Sequence, residues 1–138
     1  MNIQQAIPQK RHVLIVDDDA AVAQTFKRLL ETRGYQATTA PNGAEALKHV
    51  LHQDTDAVIC DLGMPQLEGD TFYRTIERVN PDLANRFIVV TGMAGNPQFQ
   101  AFFDRVGCPI LQKPVPSAEL LAVLDELWEQ ARRNQSRD

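Results

Sequence analysis

Val13-Leu14-Ile15-Val16-Asp17-Asp18-Asp19 is the stretch from which the rest of the chain can be read. Its apolar run fits a strand buried on both faces, and the acids place carboxylates where that strand ends. The arrangement recurs: Ala57-Val58-Ile59-Cys60 runs into Asp61, Phe87-Ile88-Val89-Val90 runs into Thr91-Gly92, and Ile110-Leu111 comes shortly before Lys113-Pro114. In an open parallel α/β sheet the carboxyl edge of the strands is where ligands bind. The residues able to do chemistry are therefore gathered at one edge.

Between these runs, helical and strand patterns alternate as in βα units around a parallel sheet, with five of each predicted. Val22, Phe26, Leu29 and Leu30 recur at helical spacing and stop before Gly34, a left-handed cap. Tyr35 to Ala40 reads as the second strand, and Pro41-Asn42-Gly43 turns into a helix with Ala46, Leu47, Val50 and Leu51 on its apolar face. His49 and His52, three residues apart near this helix end, read as solvated side chains, since no carboxylate or cysteine accompanies them in a ligating pattern. Phe72, Ile76 and Val79 mark a third helix that Pro81 stops. Asn96-Pro97 opens a fourth, whose stripe of Phe99, Phe102 and Phe103 reads as core packing. The fifth strand lies near Pro109 to Leu111. Ser117 is expected to cap a last helix carrying Leu120, Leu121, Leu124, Leu127 and Trp128, with Trp128 either on the core or open to a partner.

The 138 residues, 43% of them apolar, suit one domain with one substantial core. The predicted division is an N-terminal extension over 1–10, a domain over 11–131 and a polar tail over 132–138. A net charge of −4 without a Lys/Arg run argues against a nucleic-acid surface. The opening residues lack a signal-peptide core, and no stretch approaches the roughly 20 apolar residues of a membrane span, so a cytoplasmic protein is expected. Cys60 and Cys108 are too few for a disulfide framework and read as small core residues.

Asp17 and Asp18, joined by Asp61 from a neighbouring strand, would repel one another in a partly enclosed cleft and call for a cation. Few protein oxygens with room for water suit Mg²⁺. Lys113 adds a point charge and Thr91 a hydroxyl, so Asp61 is equipped to attack phosphorus while its neighbours steady the transferring oxygens. Asp19 reads instead as the cap of the first helix. Any one of these residues alone would be ordinary. The specific signal is their recurrence at intervals of 44, 30 and 22 residues, from Asp17 to Asp61, Thr91 and Lys113.

The chain resembles the receiver domains of bacterial two-component response regulators. The resemblance runs from about Arg11 to Ala131 and rests on Val16-Asp17-Asp18, Asn42-Gly43 with Glu45-Ala46-Leu47, Asp61 with Met64-Pro65 and Gly69, Thr91-Gly92, and Lys113-Pro114. It implies a flavodoxin-like, doubly wound five-stranded parallel sheet of order 2-1-3-4-5 with five helices, and a cis Lys113-Pro114 bond. It further implies that Asp61 takes a phosphoryl group from a histidine kinase or histidine phosphotransferase and that the chain then switches binding to a protein effector. Asp18, Asp61 and the Gly63 backbone carbonyl would ligate Mg²⁺, Asp17 would act through water, and Thr91 and Lys113 would hold the phosphoryl oxygens. The Thr-Gly pair and Leu-Gln-Lys-Pro run resemble receivers attached to hybrid sensor kinases. Ile110 departs from the family, which often has an aromatic residue there. Gly63 and Met93, at positions that tune the lifetime of the phosphorylated state, bring no polar side chain. Two alternatives remain: an Mg²⁺-dependent aspartyl-phosphate phosphohydrolase and a pseudo-receiver that is never phosphorylated.

Overall fold

The computed structural model describes residues 10–62, 69–92 and 97–136. Five parallel strands, β1 (His12–Val16), β2 (Gln36–Ala40), β3 (Ala57–Asp61), β4 (Phe87–Thr91) and β5 (Ile110–Gln112), form one sheet in the order β2-β1-β3-β4-β5. The expected fold class holds. Register pairs Val13 with Ala57, Val58 with Phe87, and Val89 with Ile110, so the strands finish together at one edge.

Six helices occur among the described residues: α1 (Ala20–Thr32), α2 (Gly43–His52), α3 (Gly69–Val79), α4 (Pro81–Ala84), α5 (Pro97–Arg105) and α6 (Ser117–Ser136). The sixth is the single turn α4. Pro81 ends α3 as expected, but Asn80 then caps a new turn by accepting from the Leu83 amide at 3.2 Å. Asp19 caps α1 through bonds from Ala21 N and Val22 N at 3.0 and 3.2 Å, and Asn42 caps α2 through Glu45 N at 2.9 Å. The end of α1 is a Schellman turn: Gly34, at φ 88°, donates to Glu31 O and Tyr35 donates to Leu30 O. Ser117 is not a cap, because it is already the first residue of α6. The Pro116 carbonyl instead receives the Leu120 amide at 3.2 Å.

Successive strand residues point to opposite faces, which divides the interior in two. Leu14, Val16, Val58, Cys60, Phe87 and Val89 meet Ala46 of α2, Phe72 and Ile76 of α3 and Phe102 of α5. Val13, Ile15, Ile59, Ile88 and Val90 meet Leu30 of α1 and Leu120, Leu124 and Trp128 of α6. Strands buried on both sides in this way explain the uninterrupted apolar runs. Two residues placed on apolar stripes are instead exposed: Leu51 at 58% and Val79 at 49%. Both lie in the last turn of their helices. Trp128 packs on the core, donates to the Tyr35 hydroxyl at 2.7 Å and carries the Arg11 guanidinium 4.3 Å above its ring. No described helix is long and apolar enough to cross a membrane.

Candidate functional site

The carboxyl ends of β1, β3, β4 and β5 bring Asp17, Asp61, Thr91 and Lys113 together. Asp17 directly follows Val16, and its amide donates to Ala40 O at 3.1 Å, so the acid run starts from a position fixed by β2 as well. Asp17 is buried. Its Oδ1 accepts the Asp19 amide at 2.9 Å and its Oδ2 accepts the Lys113 ammonium at 3.1 Å. The sequence reading assigned Asp19 to the helix start but missed that Asp17 also braces it. The available signal was Asp-x-Asp at a strand-to-helix turn, where an Asx side chain reaches the amide two residues on.

Lys113 Nζ also lies 3.4 Å from Asp61 Oδ1, so one ammonium bridges two carboxylates from different strands. Its backbone is held by the bond from Lys113 N to Thr91 O at 2.9 Å, and the following Lys113-Pro114 peptide is cis, as the resemblance implied. Burial pulls the Lys113 pKa down. The hydrogen bond to Asp17 and the charges of Asp61 and Asp17 together outweigh it, leaving the pKa above the ordinary lysine value. Thr91 is fully buried at the end of β4.

Asp17, Asp18 and Asp61 each offer a carboxylate oxygen, and these oxygens lie within 4.8 Å of one another. Asp17 is buried, Asp61 half-buried and Asp18 exposed. This is a hard, all-oxygen donor set with an open side, suited to a hydrated Mg²⁺ rather than to a soft metal. The Gly63 carbonyl, expected as a further ligand, lies outside the described residues, as do Met64-Pro65 and Met93. The predicted set of Asp17, Asp18, Asp61, Thr91 and Lys113 is thus assembled at one edge.

The sequence pattern of the response regulator receiver domain matches residues 13–125. The chain belongs to that family. It is similar to Transcriptional regulatory protein GlrR of Escherichia coli (strain K12), 31% identical over 120 residues that make up 87% of this chain and 27% of GlrR. Sensor kinase CckA of Brucella abortus (strain 2308) is 32% identical over 119 residues, 85% of this chain and 12% of that kinase. The receiver thus spans well under half the length of these relatives, and the match within a sensor kinase accords with the resemblance to kinase-attached receivers. Among solved structures, the response regulator receiver domain protein (CheY-like) from Methanospirillum hungatei JF-1 aligns with a TM-score of 0.80 and 27% identity, covering 91% of this chain and 99% of that one.

One expectation changes, away from the acid cluster. His49 is not a solvated side chain: its ring meets that of His12 edge-on at 4.9 Å, and its Nε2 is buried. The sequence could not show this, because the partner lies on a strand 37 residues away. Ile110, at the family's frequent aromatic position, is half-buried against the cluster containing Phe102, Tyr73 and Phe87. The fourth-helix stripe is core at Phe102, which meets Tyr73 edge-on at 6.0 Å; the side chains of Phe99 and Phe103 lie outside the described set.

Proposed function

We propose that this receiver accepts a phosphoryl group on Asp61 and changes partner binding in response. The observation that carries the reading is the single Lys113 ammonium spanning Asp17 Oδ2 at 3.1 Å and Asp61 Oδ1 at 3.4 Å, beside three clustered carboxylates. An Asp61 oxygen forms a bond to phosphorus as the phosphorus–nitrogen bond of a phosphohistidine breaks, and the departing imidazole keeps the electron pair and takes a proton. Lys113 turns from Asp61 towards the incoming phosphoryl oxygens, and the Thr91 hydroxyl donates to another. Asp17, fixed by the Asp19 amide and Lys113, holds the edge of the cluster in place.

Mg²⁺, held by Asp18 and Asp61 with Asp17 acting through water, would neutralise charge on the transferring oxygens. The Gly63 carbonyl is the further protein ligand in this reading. The donor is a histidine kinase or histidine phosphotransferase, and the output partner is a protein effector. We place the domain at 11–131, between an extension over 1–10 and a tail over 132–138, and in the cytoplasm, where its two free thiols suit a reducing compartment. Beyond its own phosphorylation and dephosphorylation it carries out no turnover.

Incubation with acetyl phosphate and Mg²⁺, followed by intact-mass measurement, tests the reading. The wild type should gain one phosphoryl group and Asp61→Asn none. Undiminished labelling of Asp61→Asn would move the acceptor elsewhere, and an unlabelled wild type would favour the pseudo-receiver.

A further inference from the structure

At the opposite end of the sheet from the acid cluster, His12 of β1 and His49 of α2 meet edge to face, with ring centroids 4.9 Å apart and planes at 82°. His12 is tied on three sides. Its Nε2 is 2.8 Å from Thr38 Oγ1 on β2, its amide donates to Asp56 Oδ2 at 2.7 Å, and its carbonyl accepts the Asp56 amide at 2.8 Å. His49 has the opposite circumstance: its Nε2 is buried and has no hydrogen-bond partner among the described residues. A bare imidazole nitrogen is tolerable there while it stays neutral. Once protonated, it becomes a buried cationic N–H without an acceptor, facing a second imidazole.

We propose that His12 and His49 form a proton-operated latch, holding the C-terminal half of α2 on the β1–β2 edge at neutral pH and releasing it under acid. The surroundings offer His49 little compensation for a charge. On its own helix, Glu45 is paired with Lys48 at 3.4 Å, both largely exposed, and His52 is exposed. On the strand side, the Asp56 carboxylate is engaged by the His12 amide, and Asp54 is exposed. Across the contact with α3, the ionisable Arg74, Glu77 and Arg78 are exposed, and Arg11 lies over Trp128. Burial, and then the neighbouring His12, hold His49 below the ordinary histidine pKa.

The sign follows from linkage. A histidine whose pKa is depressed in the fold contributes stability above the unfolded value of about 6.5, and that contribution is lost as pH falls below it towards the depressed value. The opened state is reached by moving only the end of α2, where Leu51 and His52 already face solvent, so the response is local. This inference does not depend on phosphoryl chemistry.

Histidine Cε1–H resonances titrated by NMR, with amide exchange measured at pH 7.5, 6.5 and 5.5 and corrected for intrinsic rates, test the latch. His49 should titrate below the ordinary histidine value of about 6.5, and His12→Gln should move it upward. Exchange over residues 47–53 should speed several-fold on acidification in the wild type, whereas His49→Phe should abolish that acceleration. The proposal is overturned if His49 titrates at or above the ordinary histidine value, if His12→Gln leaves it unmoved, or if His49→Phe opens under acid as the wild type does. Should His49→Phe fail to fold, the His12→Gln titration still decides the matter.

Discussion

The two ends of the sheet treat polar groups in opposite ways. At the amino end they are matched: Asp56 accepts the His12 amide through its carboxylate and the Arg86 guanidinium through its carbonyl, Trp128 donates to Tyr35, and the Gln36 amide donates to Arg11 O. His49 Nε2 is the exception. At the carboxyl end, three carboxylates crowd within 4.8 Å of one another, and one ammonium meets two of them. Matched hydrogen bonds each contribute modest stability, whereas crowded like charges oppose folding until a cation joins them. The amino end therefore secures the fold, and the carboxyl end carries an unbalanced negative charge. Substitutions at the two ends should separate activity from stability.

Among substitutions that keep Asp61, the largest effect is expected at Lys113. If Lys113 meets the transferring oxygens as proposed, Lys113→Met should slow labelling of Asp61 by about 10²–10³-fold, the usual consequence of deleting one such donor. The rate is read from a time course of intact mass with acetyl phosphate and Mg²⁺. A rate within a few-fold of wild type would remove the lysine from the chemistry. The variant should also be less stable without metal, since Asp17 and Asp61 lose their shared cation. Because the Lys113 pKa is raised, this contribution is complete at neutral pH and fades only above the unfolded value of about 10.4, as pH rises through the folded one.

At the amino end, Trp128→Phe keeps an aromatic ring but drops the N–H bonded to Tyr35 and weakens the face beneath Arg11. A loss of about 1–2 kcal/mol in urea unfolding is expected, with the labelling rate unchanged. A slower rate at full stability would show the two ends to be coupled.

A smaller effect of opposite sign is expected at Asp18. Asp18→Asn relieves like-charge repulsion at an exposed position and should stabilise the metal-free domain by a few tenths to about 1 kcal/mol, while reducing the rise in Tm that Mg²⁺ produces. Lower metal-free stability would mean that the acids do not repel one another.

The same contrast governs what could be read from the sequence. The carboxyl end was legible because each of its residues ends or follows an apolar strand, and parallel topology brings such ends together: Asp17, Asp61, Thr91 and Lys113 needed only strand counting. The amino end depends on contacts that no local pattern records. Periodicity gave Leu51 and Val79 their angular position but not how far along the helix the core extends, and both lie in final turns that face solvent. Pro81 showed where α3 stops, though not that Asn80 would cap another turn. Likewise, the i, i+3 spacing of His49 and His52 concealed the contact that matters, with His12 across the sheet edge.

The two thiols sharpen the comparison with the smallest expected signal, because one lies at each end. Cys60 stands beside Asp61 on β3, while Cys108 lines an amino-end groove of about 520 Å³ with Tyr73, Asn85 and Gly107. Burial, then the charges of Asp61 and Asp17, push the Cys60 thiol well above its usual pKa. Cys108 is raised to about 11, chiefly by burial. At pH 8 only about one Cys108 in a thousand is then a thiolate, the reactive form, and its modification rate should rise about tenfold per pH unit until the pKa is reached. Peptide mapping after timed iodoacetamide treatment should show Cys108 modified slowly and Cys60 only on unfolding, with both reacting fully in urea. If Cys60 in the metal-free domain reacts before Cys108, and Mg²⁺ suppresses that reaction, the crowded acids loosen their end of the sheet more than burial holds it closed. If Cys108 reacts first with or without metal, the charge imbalance at the carboxyl end is borne without opening the core.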